Sequence, residues 1–100
     1  MTARLDPSVL PWSVEAEQSV LGSLLLDNRA STVVIEAGLR AEHFYDARHG
    51  TVFSATMAQI GSGRPADIVT VLAALGPKVD EVGGLSSLNQ LAQSVPSAAN

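Results

Sequence analysis

Apolar residues recur at steps of three and four along most of the chain, a spacing that places them on one face of an α-helix. This periodicity predicts helices over about residues 14–27, 32–37, 47–60, 68–75 and 85–94. No segment has the clean alternation of apolar and polar residues that is typical of a half-buried strand. The pattern therefore predicts an all-α fold of five helices, two of which are short.

Short polar residues and helix breakers mark the ends of these segments. Serine and aspartate favour helix starts because their side chains accept a hydrogen bond from a free backbone amide. Glycine favours helix ends because it adopts the left-handed conformation without strain, and proline cannot continue a helix. The predicted caps are Ser13, Ser31, Asp46 and Asp67, and the predicted stops are Gly38, Gly61-Ser62-Gly63, Gly76-Pro77 and Pro96.

Two residues interrupt the apolar pattern of the first and third predicted helices. Gly22 costs about 1 kcal/mol relative to alanine inside a helix, so we expect another backbone to pack closely there. His49 shares a helix face with Val52 and Phe53. We expect this histidine to be partly buried, with a ring nitrogen satisfied by a hydrogen bond.

The composition narrows the class of protein. The chain has 100 residues, six basic and ten acidic side chains, a formal charge of −4 and no cysteine. This length supports one small domain, which we place at residues 13–100 behind a flexible tail over residues 1–12. The lack of cysteine excludes disulfides and thiolate zinc sites. Since the arginines are scattered and Lys78 is the single lysine, we expect no direct DNA binding.

The sequence also bears on localisation. No apolar run approaches the length needed to span a bilayer, and the first residues lack the apolar core of a secretory signal. We therefore expect a cytoplasmic protein with no membrane association.

Acidic and histidine side chains offer two candidate sites. Glu15 and Glu17 could form an acid–base pair, but residues two apart on a helix point in different directions. We interpret them as a first turn matched to the helix dipole. The second candidate is a metal site formed by Glu42, His43, Asp46 and His49. A metal-binding histidine pair on one helix needs a step of three or four residues. His43 and His49 are six residues apart, so they do not share a helix face.

Nucleotide and nucleic-acid sites are not favoured either. A phosphate-binding loop needs glycines followed by lysine and then serine or threonine, whereas Lys78 is followed by Val79. Phe44 and Tyr45 could stack on bases, but without flanking basic residues burial as a core plug is favoured. We predict no catalytic, cofactor-binding or metal-binding residue in this chain.

A set of short signatures follows a fixed order along residues 11–100. They are PWSVEAEQSVLGSLL at 11–25, EHFY at 42–45, His49 with Val52-Phe53, GRPADIVTV at 63–71, GGL at 83–85 and AAN at 98–100. In order and spacing they resemble the N-terminal domain of the bacterial replicative DNA helicases, the DnaB family. The likeness covers nearly the whole chain.

The resemblance implies a function that the residues alone do not. Proteins of this family are hexameric rings that move 5′ to 3′ on single-stranded DNA, and a C-terminal RecA-like domain uses ATP and Mg²⁺. Their N-terminal heads and helical hairpins pair into a collar that receives the helicase-binding end of primase, and a helicase loader also engages the protein. The chain would then be the head alone, a compact orthogonal bundle of about five to six helices, with no enzymatic activity and no cofactor. It would pair with itself in a dimer or hexamer collar, within the nucleoid-associated replication machinery.

With that family in mind, structural roles follow. The helix over 14–27 would pack against the helix over 47–60, Phe44 and Phe53 would plug the junction, and Gly83-Gly84 would form a turn in which a Cβ would clash. The residues predicted to be critical for the fold are Leu21, Gly22, Leu24, Leu25, Phe44, His49, Phe53, Asp67, Gly83, Gly84 and Leu88.

A second hypothesis is a stand-alone helical adaptor or transcription regulator. A helix-turn-helix reader needs a basic recognition helix. The segment 47–60 carries one arginine and the segment 85–94 carries no basic residue. An enzyme such as a small hydrolase ranks third, because the sequence shows no catalytic triad and no metal-ligand set.

Overall fold

The computed structural model describes residues 14–95 and contains five α-helices in that range. These residues contain no strand, so the all-α prediction is confirmed for them. The predicted tail over 1–12 and the predicted cap Ser13 lie outside the described residues. The helices are α1 (Val14–Leu26), α2 (Ser31–Ala37), α3 (Ala47–Gly61), α4 (Ile68–Leu75) and α5 (Gly84–Gln93), and 3-10 turns span Asn28–Ala30, Ala41–His43 and Gly76–Val82.

Aspartates cap α3 and α4 as the sequence predicted. The Asp46 carboxylate accepts the backbone N–H of Arg48 at 2.9 Å. Asp67 accepts the N–H of Thr70 at 2.9 Å, and the Thr70 hydroxyl accepts the N–H of Asp67 at 2.8 Å. This reciprocal pair is a capping box, which satisfies amides that have no partner inside the helix. At the end of α2, Gly38 takes the predicted left-handed conformation with φ of 75°.

Ser31 does not cap α2, so that prediction is wrong. Ser31 is the first residue of the helix and is buried, and the cap position is taken by Ala30, which makes no side-chain hydrogen bond to the helix. The reason is the 3-10 turn Asn28–Ala30, which runs directly into α2 and supplies carbonyl acceptors for the N–H of Ser31. The side-chain cap therefore lies upstream, where Asp27 accepts the N–H of Arg29 at 3.0 Å.

The hydrophobic core is built around α1. This helix packs against α3, as expected, and also against α5, which the sequence pattern did not anticipate. The Phe44 and Phe53 rings meet beside it with their centroids 5.0 Å apart and a tilt of 42°. The buried apolar residues are Leu21, Leu24, Leu25, Val34, Phe44, Val52, Phe53, Ala66, Val71, Leu75, Val82, Leu88 and Leu91.

Gly22 explains how closely α1 and α5 approach. A methyl group at this position would clash with the backbone carbonyl of Leu91 and with the side chain of Val95. The sequence expectation of a close backbone at Gly22 therefore matches the geometry. At the other end of α5, Gly83 has φ of 97° and a Cβ there would lie 2.9 Å from the Cβ of Ser87. A Cβ on Gly84 would meet nothing within 4 Å, so only its φ of 72° favours glycine.

Several apolar residues that the periodicity placed on packed faces lie at the surface. Leu85 is 49% exposed although its spacing matches Leu88 and Leu91. On α2, Val34 is buried while Val33 and Ile35 are exposed on either side of it. Short helices at the edge of a small bundle bury only a narrow stripe, since few neighbouring elements surround them.

We predict that Leu24→Ala and Leu26→Ala have very different effects, although these residues are two apart on one helix. Leu24 is fully buried and Leu26 is 62% exposed. Leu24→Ala leaves a cavity and should lower the free energy of unfolding by about 2–5 kcal/mol, and Phe53→Ala should do the same. Leu26→Ala should stay within about 0.5 kcal/mol of the parent. Thermal and urea unfolding measure both values, and a shift of less than about two degrees for Leu24→Ala would contradict the assigned core.

A matched glycine pair tests the contact between α1 and α5. Gly22→Ala should destabilise the domain by about 1–3 kcal/mol because the added methyl overpacks the interface, even though alanine is the better helix former. Gly61→Ala in α3 meets no atom within 4 Å, so it should be neutral or stabilising by up to about 1 kcal/mol. Equal effects in chemical denaturation would show that backbone proximity does not constrain Gly22.

Candidate functional site

A fully buried carboxylate lies where α1 meets the start of α3. Glu17 has 0% of its surface exposed. Its Oε2 accepts the backbone N–H of Tyr45 at 2.5 Å, and its Oε1 accepts the N–H of Asp46 at 3.3 Å. Oε1 also lies 2.8 Å from Nδ1 of His49. The carboxylate thus binds three groups that lie 28 to 32 residues away from Glu17 in the sequence.

These partners compensate the cost of burying the carboxylate. An ionised carboxylate accepts hydrogen bonds and donates none, so an ionised Glu17 pairs with the tautomer of His49 that presents Nδ1–H. Burial of an unpaired charge is strongly unfavourable, whereas hydrogen bonds to a charged group contribute about 1.5–3 kcal/mol each. Both Glu17 and His49 are buried, and each satisfies the other. The expected burial and hydrogen bonding of His49 are therefore present.

The Glu17 carboxylate fixes the turn that precedes α3. Two consecutive backbone amides, those of Tyr45 and Asp46, are held by one side chain of α1. Phe44 points inward from the same turn and packs on Phe53. Tyr45 points outward and is 84% exposed, so the expectation that both aromatic residues plug the core is wrong for Tyr45. The two side chains therefore point in opposite directions: Phe44 is held in the core by its ring, and Tyr45 is held there by its backbone N–H.

Asp46 combines two roles at this turn. Its side chain caps α3 and also binds the Arg48 guanidinium, with a shortest distance of 2.8 Å. The hydrogen bonds to Arg48 lower the pKa of Asp46 from 3.8 to about 2. Because the lowered pKa means that the folded state favours the ionised form, the cap and its ion pair persist throughout the neutral range.

The same local pairing recurs at two other exposed arginines. Arg29 binds Asp27 at 2.9 Å and Arg40 binds Glu42 at 3.1 Å, each two residues away. The pKa of Asp27 is lowered mainly by its side-chain hydrogen bonds to Arg29. Three of the basic side chains in residues 14–95 are therefore neutralised by near neighbours. Such exposed pairs add little to stability, but they remove positive charge from the surface.

A second polar link joins α1 to the loop before α4. The Asn28 amide nitrogen donates to the carbonyls of Leu24 at 2.8 Å and Ala66 at 2.7 Å, and its oxygen accepts the N–H of Ala66 at 2.9 Å. Ala66 is buried, so its backbone groups need partners inside the protein. One asparagine side chain supplies both and holds the loop before α4 against the end of α1.

A groove of about 710 Å³ runs along the outer side of α3. Its α3 wall consists of small residues that include Ala47, Gly50 and Ser54, at helical spacing. Phe44 and the 3-10 turn Ala41–His43 contribute one side, and the end of α4 with Lys78 contributes the other. A Cβ on Gly50 would lie 2.9 Å from the carbonyl oxygen of Ala41, so this glycine permits the turn to sit against α3.

The residues considered in the sequence as a metal-binding site do not come together in the fold. His43 Nδ1 accepts the N–H of Arg40 at 3.0 Å, whereas His49 faces Glu17 on the other side of the turn. Among residues 14–95 no three histidine, aspartate or glutamate side chains converge on a point that could bind a metal ion. Nor does any helix in that part of the chain combine the length and apolarity that crossing a membrane requires.

The role of Glu17 was missed from the sequence, although a signal was present. Glu17 precedes Leu21 by four residues and so lies on the apolar face of α1. His49 lies on the apolar face of α3 in the same way. A charged residue on one apolar face and a histidine on another predict each other as buried partners, since neither tolerates burial alone. The dipole interpretation suits Glu15, which is exposed, but does not account for Glu17.

Replacement of the buried carboxylate separates these two glutamates. Glu17→Gln should lower the free energy of unfolding by about 1–3 kcal/mol, because the amide NH₂ faces N–H donors that lose an acceptor. Glu15→Gln in the same turn should stay within about 0.5 kcal/mol. Urea unfolding gives both values, and amide exchange at Tyr45 and Asp46 should accelerate only in Glu17→Gln. Unchanged exchange at these amides would contradict the assigned role.

Comparison with known proteins places this arrangement in a family. Residues 9–100 match the family described as the DnaB-like helicase N terminal domain. The chain is 41% identical over 102 residues to the replicative DNA helicase DnaB of Geobacillus stearothermophilus, and 39% identical to the replicative DNA helicase DnaC of Bacillus subtilis. Each match covers 100% of this chain and 22% of the relative. The chain thus spans about a fifth of the length of these curated relatives.

A solved structure agrees with the sequence matches. The crystal structure of the N-terminal domain of DnaB helicase from Mycobacterium tuberculosis superposes with a TM-score of 0.83 at 42% identity. The match covers 90% of this chain and 66% of that one. Family, relatives and fold agree over nearly the full length, and the chain belongs to the DnaB-like helicase N-terminal domain family.

Proposed function

We propose that this chain is the collar and docking domain of a hexameric 5′–3′ replicative helicase, where it pairs subunits in the ring and receives primase. The observation that carries the proposal is the match of residues 9–100 to the N-terminal domain of DnaB-like helicases. The match covers only about a fifth of the curated relatives. In this proposal the ATP- and Mg²⁺-dependent motor therefore lies in a part of the full-length protein that this chain does not contain.

The surface chemistry supports a protein-binding role over a DNA-binding one. Three arginines of the described range are paired with acids two residues away, and the whole chain carries a formal charge of −4. DNA affinity depends on free cations that neutralise phosphates. Large apolar side chains, by contrast, are exposed on several elements; they are Val14, Leu26, Val33, Ile35, Tyr45, Val69 and Leu85.

In the cell, the domain would work with three kinds of partner. It would pair with copies of itself in a dimer or hexamer collar, bind the helicase-binding domain of primase, and meet a helicase loader. The protein would act in the cytoplasm, within the nucleoid-associated replication machinery. None of these roles requires a catalytic residue or a cofactor in this chain.

Calorimetric titration with the C-terminal domain of the cognate primase tests the docking role. We expect heat of binding with the 100-residue chain or with a longer version that includes the following hairpin, and none with a primase truncated before that domain. Loss of binding in both versions would contradict docking while leaving the family assignment intact. A salt-dependent shift of duplex DNA by the chain would instead favour the adaptor or regulator hypothesis.

A further inference from the structure

We propose that residues 1–13 of this chain dock in the groove along α3, with Asp6 paired to Lys78 and with Leu5 and Val9 against the apolar part of the lining. This docking does not depend on the proposed function, because the occupant is a segment of the chain itself. It differs from the flexible tail that the sequence pattern predicts, since the segment would cover part of the domain surface.

The first argument is the shape of the groove. Two elements line it beside α3 and both pack on that helix: the 3-10 turn Ala41–His43, and the end of α4 with the 3-10 turn Gly76–Val82. The buried residues Phe44 and Leu75 contribute to the lining, so part of it is apolar. Its α3 wall covers residues 47–55, which is about 12 Å of helix and matches about four residues of extended chain.

The second argument is the position of α1, whose start lies beside one end of this groove. Glu17, in the first turn of α1, accepts the backbone N–H groups of Tyr45 and Asp46. The residues on either side of that pair, Phe44 and Ala47, line the groove. The segment that precedes α1 therefore joins the helix close to the groove.

The segment is also long enough to reach along the groove. Val14 precedes Glu17 by about 4.5 Å along the helix axis. The eight residues of chain between Asp6 and Val14 span up to about 28 Å when extended. This span is about twice the length of the α3 wall, so Asp6 reaches the side of the groove that the end of α4 forms.

The third argument is charge. Two charged side chains line the groove, Glu42 and Lys78. Glu42 is bound by Arg40 at 3.1 Å, whereas Lys78 makes no ion pair with any residue of the described range. Asp6 is the only acidic residue of the segment that precedes α1. Complementary charges fix the register of a contact, so Asp6 is the residue of the segment that Lys78 selects.

The neighbours of Asp6 suit the rest of the lining. Leu5 and Val9 lie close to it in the sequence, and contact with the apolar lining removes their side chains from water. Pro7 has a fixed φ and disfavours a helical conformation at the residue before it, which lowers the entropic cost of binding as an extended chain. Residues 96–100 contain no charged side chain and do not offer this combination.

The test attaches a nitroxide label to Ser8→Cys in the 100-residue chain, which has no cysteine of its own. A related N-terminal domain has its own crystal structure, so the chain is suited to study in isolation. We expect the strongest paramagnetic broadening at the amides of Thr51 and Ser54, relative to the same sample after reduction of the label. A mixture of labelled chain with unlabelled, isotope-enriched chain should show no broadening, because the contact forms within one molecule.

Charge reversal in the labelled chain tests the ion pair. Asp6→Lys and Lys78→Asp should each lower the ratio of docked to undocked segment about twofold to fivefold, as expected for the loss of an exposed ion pair. The double variant should restore the broadening. Asp6→Lys combined with Arg64→Asp is the matched control and should restore nothing, because Arg64 is exposed and lies outside the groove lining. All variants should unfold at the parent temperature, which shows that the fold is intact.

Three outcomes would overturn the docking of residues 1–13. Broadening that is absent from the groove would show a flexible tail or a different docking site. Broadening in the mixed sample would show that the groove binds a second copy of the chain. Broadening that survives both single charge reversals would exclude the pairing of Asp6 with Lys78. In each case the proposed function stands, since primase binding is measured separately.

Discussion

The buried carboxylate of Glu17 is the interaction on which the arrangement of this domain depends. It is the one acidic or basic side chain within residues 14–95 that has no exposed surface, and a buried carboxylate is tolerated only where donors surround it. Those donors come from the turn before α3 and from His49 on α3. The requirement to satisfy one carboxylate therefore fixes the position of α3 and its entry turn relative to α1.

The apolar contacts around α1 depend on this position of α3 relative to α1. With the turn before α3 fixed, Phe44 reaches Phe53, and α1 presents its leucines to α3 on one side and to α5 on the other. Gly22 lets α5 come close enough for the backbone of Leu91 to lie against α1. Hydrophobic burial supplies most of the favourable free energy of such a core, while the polar contacts select one arrangement of the helices. Asn28 adds a second such contact through the backbone of Ala66.

On the surface of residues 14–95, most arginines are paired with acids, whereas large apolar side chains are exposed to solvent. Most exposed arginines are paired with acids two residues away, and these pairs leave little free positive charge for phosphates. The side chain that the buried carboxylate helps to present is an aromatic one, Tyr45. Among residues 14–95, the paired arginines favour contacts with proteins over contacts with phosphates, in line with the proposed docking role. The membership of the chain in the DnaB-like N-terminal domain family agrees with this division.

The sequence by itself determined the helices, their caps at Asp46 and Asp67, the left-handed stop at Gly38 and the close approach at Gly22. These features depend on the spacing of apolar residues and on the local chemistry of caps and glycines, and both can be identified along the chain. The family, too, was recognisable from the order of its motifs. The tertiary structure alone decided the pairing of Glu17 with His49, the outward direction of Tyr45, the exposure of Leu85 and the groove along α3. Each of these depends on which elements meet in space, and helical periodicity gives the face on which a residue lies without giving the neighbour that covers it.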